Sequence, residues 1–258
     1  MSARTTILGD YEVNRIGLGT NRLSDTQELR HFIRRAVEAG VSLIDTAHLY
    51  TGGESEQVIG AALAPFPGDL VVATKGGYHP GSGRPERLRD ELEESFGRLR
   101  ADTIPLYYLH RVDPGVPLEE SLGVLREYRD AGRIQHVGVS EMSVEQIERA
   151  RAVVPIAAVQ NEYNLSARKY EDEVDFCERE KIAFVPFYPL RGATRAPLDE
   201  IASRYDATPE QITLAWLLRR SPVMLPIPGT LSLDHLKTNL AALELELSDE
   251  DYAELSVA

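Results

Sequence analysis

Residues 41–75 read VSLIDTAHLYTGGESEQVIGAALAPFPGDLVVATK, and this stretch contains the unit from which the fold is built. The short apolar run Val41–Ile44 is followed by helical spacing from about Glu54 to Leu63, and a second apolar run covers Leu70–Ala73. Continuously apolar runs are typical of strands buried on both faces of a parallel sheet. The stretch is therefore predicted to form a strand, a helix and a parallel strand.

The same unit recurs along the chain. Beginning with Ile16–Gly19, we count eight strand-like runs, each followed by a segment with helical spacing. The later predicted strands are Leu106–Leu109, Ile134–Val139, Pro155–Val159, Ile182–Phe187 and Val223–Ile227. Eight repeats in about 250 residues are typical of a (β/α)8 TIM barrel. The segment Thr5–Asn14 predicts an N-terminal β-hairpin, and residues 1–258 are expected to form one barrel domain.

An open doubly wound sheet is the alternative fold. Such a sheet is expected to carry a G-x-G-x-x-G turn after its first strand, whereas residues 17–22 read GLGTNR and lack the third glycine. The barrel is therefore the favoured fold.

The composition excludes several classes of function. Hydrophobic residues make up 43% and charged residues 27% of the 258 residues, which is ordinary for a globular protein. The net charge of −13 disfavours nucleic acid as a partner. Cys177 is the only cysteine, so neither an internal disulfide nor a cysteine-built metal site is expected. No apolar stretch approaches the roughly 20 residues that span a bilayer, and we expect a cytoplasmic protein without a metal.

Four polar residues follow three consecutive predicted strands. Asp45 comes directly after the second strand with Tyr50 five residues beyond it, Lys75 ends the third, and His110 ends the fourth. Because chemistry in a barrel gathers where strands lead into βα loops, these side chains are expected to converge over one rim.

This set of side chains suggests a general acid. A free tyrosine has a pKa of about 10, and a cationic Lys75 beside Tyr50 is expected to lower it. Asp45 would hold Lys75 charged, and His110 would bind a carbonyl oxygen of the substrate. Such an acid protonates an oxygen that receives negative charge, as in the reduction of a carbonyl by a hydride-carrying cofactor.

Several short motifs resemble those of the aldo-keto reductases, in that family's order. They are GLGT at 17–20, DTA at 45–47 with Tyr50, ATK at 73–75, LH at 109–110, VGVS at 137–140, QN at 160–161 and IPGT at 227–230. The resemblance implies a barrel closed at its bottom by the N-terminal hairpin. It also implies NADPH-dependent reduction of aldehydes and ketones, with Asp45, Tyr50, Lys75 and His110 as catalytic residues.

The resemblance further assigns residues to the cofactor. It places the carboxamide near Ser140 and Gln160, with Glu141 standing where many members have Asn. Phe187 would stack on the nicotinamide ring, with Tyr188 as the alternative. Leu190 and Arg191 would flank the pyrophosphate, and the remaining predicted contacts are Gly19, Thr20, Asn21, Ile227, Gly229, Thr230, Ser232, His235 and Asn239.

The expected cofactor is NADPH, with NADH as the alternative. Members that strongly prefer NADPH often carry Lys where Gly229 stands and Arg where His235 stands, and both cations are missing here. The hydroxyls of Thr230 and Ser232 would bind the 2′-phosphate, and Asn239 would contact the adenine.

Other functions remain as alternatives. One is a nicotinamide-binding regulatory or redox-sensing subunit with little turnover, and the other is a Schiff-base aldolase that uses Lys75. For the reductase, the substrate would be a small aldehyde or ketone, and the protein a monomer or a weak homo-oligomer. Candidate residues for the substrate pocket are Asn21, Arg22, His48, Tyr78, His79 and Arg111.

Overall fold

Strands and helices alternate along the chain in the computed structural model, which describes residues 4–192 and 196–257. The strands are β1 (Thr5–Leu8), β2 (Tyr11–Asn14), β3 (Leu18–Gly19), β4 (Leu43–Asp45), β5 (Val71–Gly76), β6 (Ile104–Leu109), β7 (Ile134–Ser140), β8 (Ile156–Gln160) and β9 (Ala183–Phe184). The helices are α1 (Gln27–Glu38), α2 (Glu54–Leu63), α3 (Pro85–Leu99), α4 (Leu118–Asp130), α5 (Val144–Val153), α6 (Glu171–Glu180), α7 (Ala196–Arg204), α8 (Pro209–Arg220), α9 (Leu233–Ala241) and α10 (Asp249–Val257).

The strands β3 to β9 form a seven-stranded parallel sheet in chain order, and the segment 223–229 closes it into a barrel. On one side, the Leu225 N–H donates to the Phe184 carbonyl over 2.8 Å. On the other, the N–H of Gly19 donates to the Pro228 carbonyl over 3.2 Å. The strands approach closely here, since a Cβ on Gly19 would lie 2.8 Å from the Ile227 carbonyl oxygen.

The expected eighth strand, Val223–Ile227, is not a regular strand in the structure. Its only ladder contact with β9 is an isolated bridge between Phe184 and Met224. Pro226 and Pro228 lack an N–H, so the segment cannot complete a hydrogen-bond ladder. The barrel expected from the sequence is nonetheless the observed fold.

The N-terminal hairpin closes one end of the barrel. β1 and β2 pair antiparallel, and their buried Leu8 and Val13 belong to the cluster inside the barrel. That cluster includes Leu43 and Val71, which begin β4 and β5, so the hairpin packs at the amino-terminal ends of the strands.

The central strands β5 and β6 are buried on both faces, as their apolar sequences predict. In β5, Val71 and Ala73 face the barrel interior, while Val72 packs in the cluster between strands and helices. Polar side chains gather instead at the carboxyl-terminal ends of the strands, the end of the barrel opposite the hairpin.

Two helical segments differ from the expectation. The helical spacing near Ser166–Arg179 predicts an earlier start for α6, which begins at Glu171. The reason is that the Asn164 side chain accepts a hydrogen bond from the Ser166 N–H and 164–167 forms a turn. α7 was not expected, and it precedes α8 in the connection after β9. In the part of the chain that the structure describes, no helix is long and apolar enough to cross a membrane.

Candidate active site

Three strand ends and one short turn place the four predicted catalytic side chains. Asp45 is the last residue of β4, Lys75 lies next to the end of β5, and His110 follows β6 directly. Tyr50 begins the 3-10 turn Tyr50–Gly53 between β4 and α2. All four lie at the carboxyl-terminal rim of the barrel, the end opposite the hairpin.

A chain of short contacts connects three of these side chains. Lys75 is fully buried, and its Nζ donates to Asp45 Oδ1 over 2.6 Å. The same ammonium lies 3.4 Å from the Tyr50 hydroxyl oxygen. Since Asp45 is only 2% exposed, this is a buried ion pair that ends at a phenol.

Backbone and side-chain groups complete the polar environment of this pair. Lys75 Nζ also donates to the Thr46 carbonyl over 2.7 Å, and Gln160 Nε2 donates to Asp45 Oδ2 over 2.8 Å. Burial of Lys75 disfavours its charged form, but the attraction of Asp45 and Tyr50 outweighs it, so the pKa of Lys75 lies above its ordinary value. Lys75 is therefore a cation beside the phenol at neutral pH.

The pKa of Tyr50 is raised rather than lowered, contrary to the expectation from the sequence. Burial of the phenol disfavours the phenolate more strongly than Lys75 favours it, and the negative charge of Asp45 adds to the increase. Tyr50 thus keeps its proton at neutral pH and moderately alkaline pH. Lys75 still acts in the expected direction, because its charge opposes the increase.

His110 stands next to this phenol and is 6% exposed. Its ring centroid lies 6.2 Å from that of Tyr50, and the two rings meet edge to face. Burial and the nearby charges of Lys75 and Arg111 hold the pKa of His110 well below its ordinary value, so the ring is neutral at pH 7. A neutral imidazole at this place can donate one hydrogen bond to a carbonyl oxygen.

A cavity of about 760 Å³ opens over these groups. Tyr50, Asp45 and His110 line it, as do most residues that the sequence assigns to the cofactor. Those lining residues are Gly19, Thr20, Asn21, Ser140, Gln160, Phe187, Tyr188, Leu190, Arg191, Ile227 and Gly229. The structure therefore brings the ends of β3, β7 and β8 and the segments after β9 to one cleft.

Four predicted cofactor residues do not line this cavity. Thr230, Ser232, His235 and Asn239 lie beyond Gly229, at the start of α9 and within it. The Ser232 hydroxyl caps α9 by accepting from the His235 N–H over 3.4 Å, and Asn239 is buried. These four residues therefore follow Gly229, the last lining residue of the cleft, in the sequence.

Both aromatic candidates for the nicotinamide face line the cavity. The rings of Phe187 and Tyr188 lie 5.2 Å apart and nearly perpendicular. Tyr188 is 49% exposed, and the Arg191 guanidinium lies 4.4 Å from its ring centroid. Phe187 is the less exposed of the two, and its N–H donates to the Asn161 carbonyl.

The candidates for the substrate pocket divide between two cavities. Asn21, Arg22, Tyr78 and Arg111 line the main cleft. His48 and His79 instead line a neighbouring cavity of about 680 Å³, which also reaches Lys75. Tyr78 and His110 line both cavities, so they lie in the wall between them.

Two roles of polar residues were missed from the sequence. Gln160 was assigned only to the carboxamide, yet its amide also holds Asp45. Glu141 turns towards Arg111, with 3.3 Å between Oε2 and Nη1, and does not line the cavity. The position of Gln160 at a strand end could have indicated its contact with Asp45. The contact of Glu141 could not be read from the sequence, because Arg111 follows a different strand, 30 residues earlier in the chain. In residues 4–192 and 196–257, no cluster of three or more potential metal ligands occurs.

The barrel and the polar cluster at its carboxyl-terminal rim define a barrel enzyme with its chemistry at the end where βα loops converge. The chain belongs to the aldo/keto reductase family, whose model matches residues 15–257. It is therefore an oxidoreductase that uses a nicotinamide cofactor, as the sequence motifs led us to expect.

Two relatives cover nearly the whole chain. An uncharacterized oxidoreductase of Schizosaccharomyces pombe, C215.11c, is 40% identical, with 98% of this chain and 89% of the relative aligned. Pyridoxine 4-dehydrogenase of Escherichia coli is 36% identical over 97% of this chain and 96% of its own.

Solved structures agree in fold over the same extent. A thermostable aldo-keto reductase, Tm1743, in complex with the inhibitor epalrestat has a TM-score of 0.90 at 32% identity, and the match covers 98% of each chain. An aldo/keto reductase from Klebsiella pneumoniae in complex with NADP and acetate has a TM-score of 0.87 at 28% identity, covering 98% of this chain and 94% of its own.

Proposed function

We propose that the protein reduces the carbonyl group of small aldehydes and ketones to an alcohol, with NADPH as the hydride donor. The observation that carries the proposal is the buried contact chain from Asp45 through Lys75 to the Tyr50 hydroxyl, next to a neutral His110. Asp45, Tyr50 and His110 line the main cleft, which is large enough for a ligand.

Tyr50 acts as the general acid. The cofactor, when bound, supplies the hydride to the carbonyl carbon, and the carbonyl oxygen then becomes negatively charged. Tyr50 transfers its phenolic proton to that oxygen, and Lys75 stabilises the phenolate that remains, since its Nζ is 3.4 Å from the hydroxyl oxygen. A positioned acid of this kind contributes about 10²–10⁴ in rate.

His110 and Asp45 position the reacting groups. The neutral His110 donates a hydrogen bond to the carbonyl oxygen and orients it towards Tyr50. Asp45 fixes the Lys75 ammonium, which is held on its other side by the Thr46 carbonyl. A charged Lys75 also disfavours the aldolase alternative, because a Schiff base requires a neutral amine.

The residues at the ends of β7 and β8 fit a nicotinamide carboxamide. Gln160 uses its Nε2 on Asp45, so its carbonyl oxygen remains to accept from the carboxamide NH₂. Ser140 lines the same cavity and offers a hydroxyl. The exposed ring face of Phe187 or Tyr188 would cover the nicotinamide.

The other end of the cleft fits the phosphates of NADPH. Arg22 and Arg191 line this cleft, and Arg22 donates to the Gly229 carbonyl over 3.3 Å. The Klebsiella structure with NADP supports NADPH by family likeness. Because Gly229 and His235 replace cations, NADH remains the alternative cofactor.

We infer that residues 1–258 work as a single domain, as a monomer or a weak homo-oligomer. Two of the exposed large hydrophobic residues in the described ranges, Tyr78 and Tyr188, line the cleft and need no partner chain to explain them. Light scattering of the purified protein would measure the mass directly.

The test is the loss of NADPH absorbance with benzaldehyde, for the wild type and Tyr50→Phe. We expect kcat to fall by about 10²–10⁴ in the variant, while NADPH binding measured by fluorescence stays within about threefold. Tyr128→Phe is the matched control, since it removes a hydroxyl that bonds Glu93 on the outer helices. Full turnover in Tyr50→Phe, or tight binding without turnover in the wild type, would favour the regulatory alternative.

A further inference from the structure

We propose that Arg111 selects carbonyl substrates that carry a carboxylate, by binding that carboxylate while the carbonyl lies between Tyr50 and His110. This inference rests on the proposed reductase activity and names its substrate class. The observation behind it is an arginine in the wall of the cleft, Arg111, whose buried Nη1 makes no hydrogen bond in the described structure.

Three arginine side chains line the main cleft, Arg22, Arg111 and Arg191. Arg191 is ion-paired with Glu162, and Arg111 lies 3.3 Å from Glu141. Asp45, the one lining carboxylate among the described residues, is already paired with the buried Lys75.

Arg22 and Arg191 are assigned to the cofactor phosphates, whereas Arg111 has no assigned ligand. Arg22 lies against Gly229, and Arg191 follows β9, so both stand on the side proposed for the cofactor phosphates. Arg111 follows β6 next to His110, on the catalytic side of the rim. Arg111 lines the same cavity as Tyr50 and His110, the two groups proposed to bind the carbonyl oxygen.

Arg111 is held in place with hydrogen-bonding capacity to spare. Its Nη1 is buried and makes no hydrogen bond in the described structure, although Glu141 Oε2 lies at ion-pair distance, 3.3 Å. Its guanidinium carbon also lies 5.6 Å from the Tyr78 ring centroid. A planar guanidinium has five N–H donors, and a carboxylate matches two of them in parallel.

Glu141 does not neutralise this position. Its Oε2 is shared between Arg111 and Lys169, which is 3.9 Å away, and its Oε1 accepts from the Glu162 N–H over 3.0 Å. Two cations therefore face one carboxylate. The pair orients Arg111 and leaves a net positive charge at this part of the rim.

The Tyr78 ring packs close to both groups that the substrate would contact. Its centroid lies 5.6 Å from the guanidinium carbon of Arg111 and 4.9 Å from the ring centroid of His110. All three side chains line the main cleft, so the carboxylate and the carbonyl of one substrate would lie in the same cavity.

The first experiment compares kcat/KM for succinic semialdehyde and for uncharged butanal, with saturating NADPH. We expect the wild type to prefer succinic semialdehyde over butanal by at least about tenfold. In Arg111→Gln the ratio of succinic semialdehyde to butanal falls about 10- to 100-fold, the loss expected for a charge-assisted hydrogen bond. The change is expected mainly in KM, and Arg111→Lys recovers part of the preference.

Arg149→Gln provides a control with the same change in net charge. Arg149 pairs with Glu119 on the outer helices, so this variant keeps the wild-type substrate ratio. An equal loss of the ratio in both variants would indicate long-range electrostatic attraction and would overturn the role of Arg111. So would an unchanged ratio in Arg111→Gln.

A binding measurement separates this inference from the reductase proposal. Titration calorimetry with the unreactive dicarboxylate succinate, on protein saturated with NADPH, is expected to give a Kd about 10- to 100-fold weaker in Arg111→Gln than in the wild type. If succinate binds both equally, or fails to bind the wild type, Arg111 is not the carboxylate site. If succinate binding follows Arg111 but no aldehyde is reduced, the site stands and the reductase proposal fails.

Discussion

The two halves of the barrel rim are built in different ways. In the catalytic half, which comprises Asp45, Tyr50, Lys75 and His110, three of the four side chains are buried, and Lys75 joins Asp45 to the Tyr50 hydroxyl. The His110 ring meets that of Tyr50 edge to face. In the open half, which runs from Gly229 to Asn239, Gly229 and His235 are exposed. The hydroxyls of this half accept hydrogen bonds from their own backbone, such as that from the Ser232 N–H to Thr230.

This difference indicates that the catalytic half is preorganised and the open half is not. In the proposed mechanism the catalytic half presents a proton and a fixed cation to a transition state, and rigid groups excluded from water do so without rearranging. The open half would bind phosphate and adenine groups, which make their own strong contacts and tolerate solvent. Substitutions in the catalytic half should therefore cost much more than those in the open half.

The largest effect is expected from Lys75→Met, which breaks the catalytic half. The substitution leaves the Asp45 carboxylate buried without its cation, and removal of one partner from a buried pair costs about 3–5 kcal/mol of folding free energy. Urea unfolding at pH 7 measures this loss. Turnover of benzaldehyde with NADPH should fall together with it.

A double variant separates the loss of stability from the loss of turnover. In Asp45→Asn with Lys75→Met both charges are gone, so most of the stability should return while the reductase rate stays low. A single Lys75→Met variant as stable as the wild type would contradict the description of this half as a buried charge pair.

A smaller, pH-dependent effect is expected from His110→Gln. In the folded protein the pKa of His110 lies well below its ordinary value of about 6.5, so below that pH the unfolded chain binds a proton that the folded chain does not. The wild type should therefore lose stability as pH falls from about 6.5, by up to about 1.4 kcal/mol per pH unit from this residue.

The measurement is urea unfolding of the wild type and His110→Gln at several pH values between 7 and 5. The difference between their unfolding free energies should be constant above about pH 6.5 and change below it, to the disadvantage of the wild type. Parallel curves over the whole range would mean that His110 is protonated as easily in the folded protein as in the unfolded chain.

The sequence predicted the positions of the catalytic residues better than their electrostatics and their tertiary contacts. Asp45, Lys75 and His110 could be placed because strand ends are visible as the limits of apolar runs, and parallel strands end on one rim. The pKa of Tyr50 was predicted in the wrong direction, since the effect of burial depends on how much of the fold covers the phenol. The contact of Arg111 with Glu141 joins different strand ends, and no periodicity encodes such a pair.

The closing segment of the barrel illustrates the same limit. Its apolar residues predicted a strand, but Pro226 and Pro228 remove the donors that a ladder needs. Their effect was readable from the sequence. The hydrogen bonds that replace the ladder could not be predicted, because they pair the N–H groups of Gly17 and Gly19 with the carbonyls of these same prolines across the barrel seam.

The smallest effect is expected in the open half, from Gly229→Lys. A side chain fits at this position, because a Cβ there would meet its nearest neighbour, the Gly19 carbonyl oxygen, at 3.4 Å. A lysine would add one exposed cation near the proposed 2′-phosphate site, and exposed ion pairs contribute up to about 1 kcal/mol. The preference for NADPH over NADH, as a ratio of kcat/KM values, should therefore rise by about two- to fivefold, less so at high salt.

Gly68→Lys adds the same charge at an exposed glycine with no neighbour within 4 Å and should leave the ratio unchanged. A change of a hundredfold or more at Gly229 would mean that the open half is as preorganised as the catalytic half, and the contrast between them would not hold.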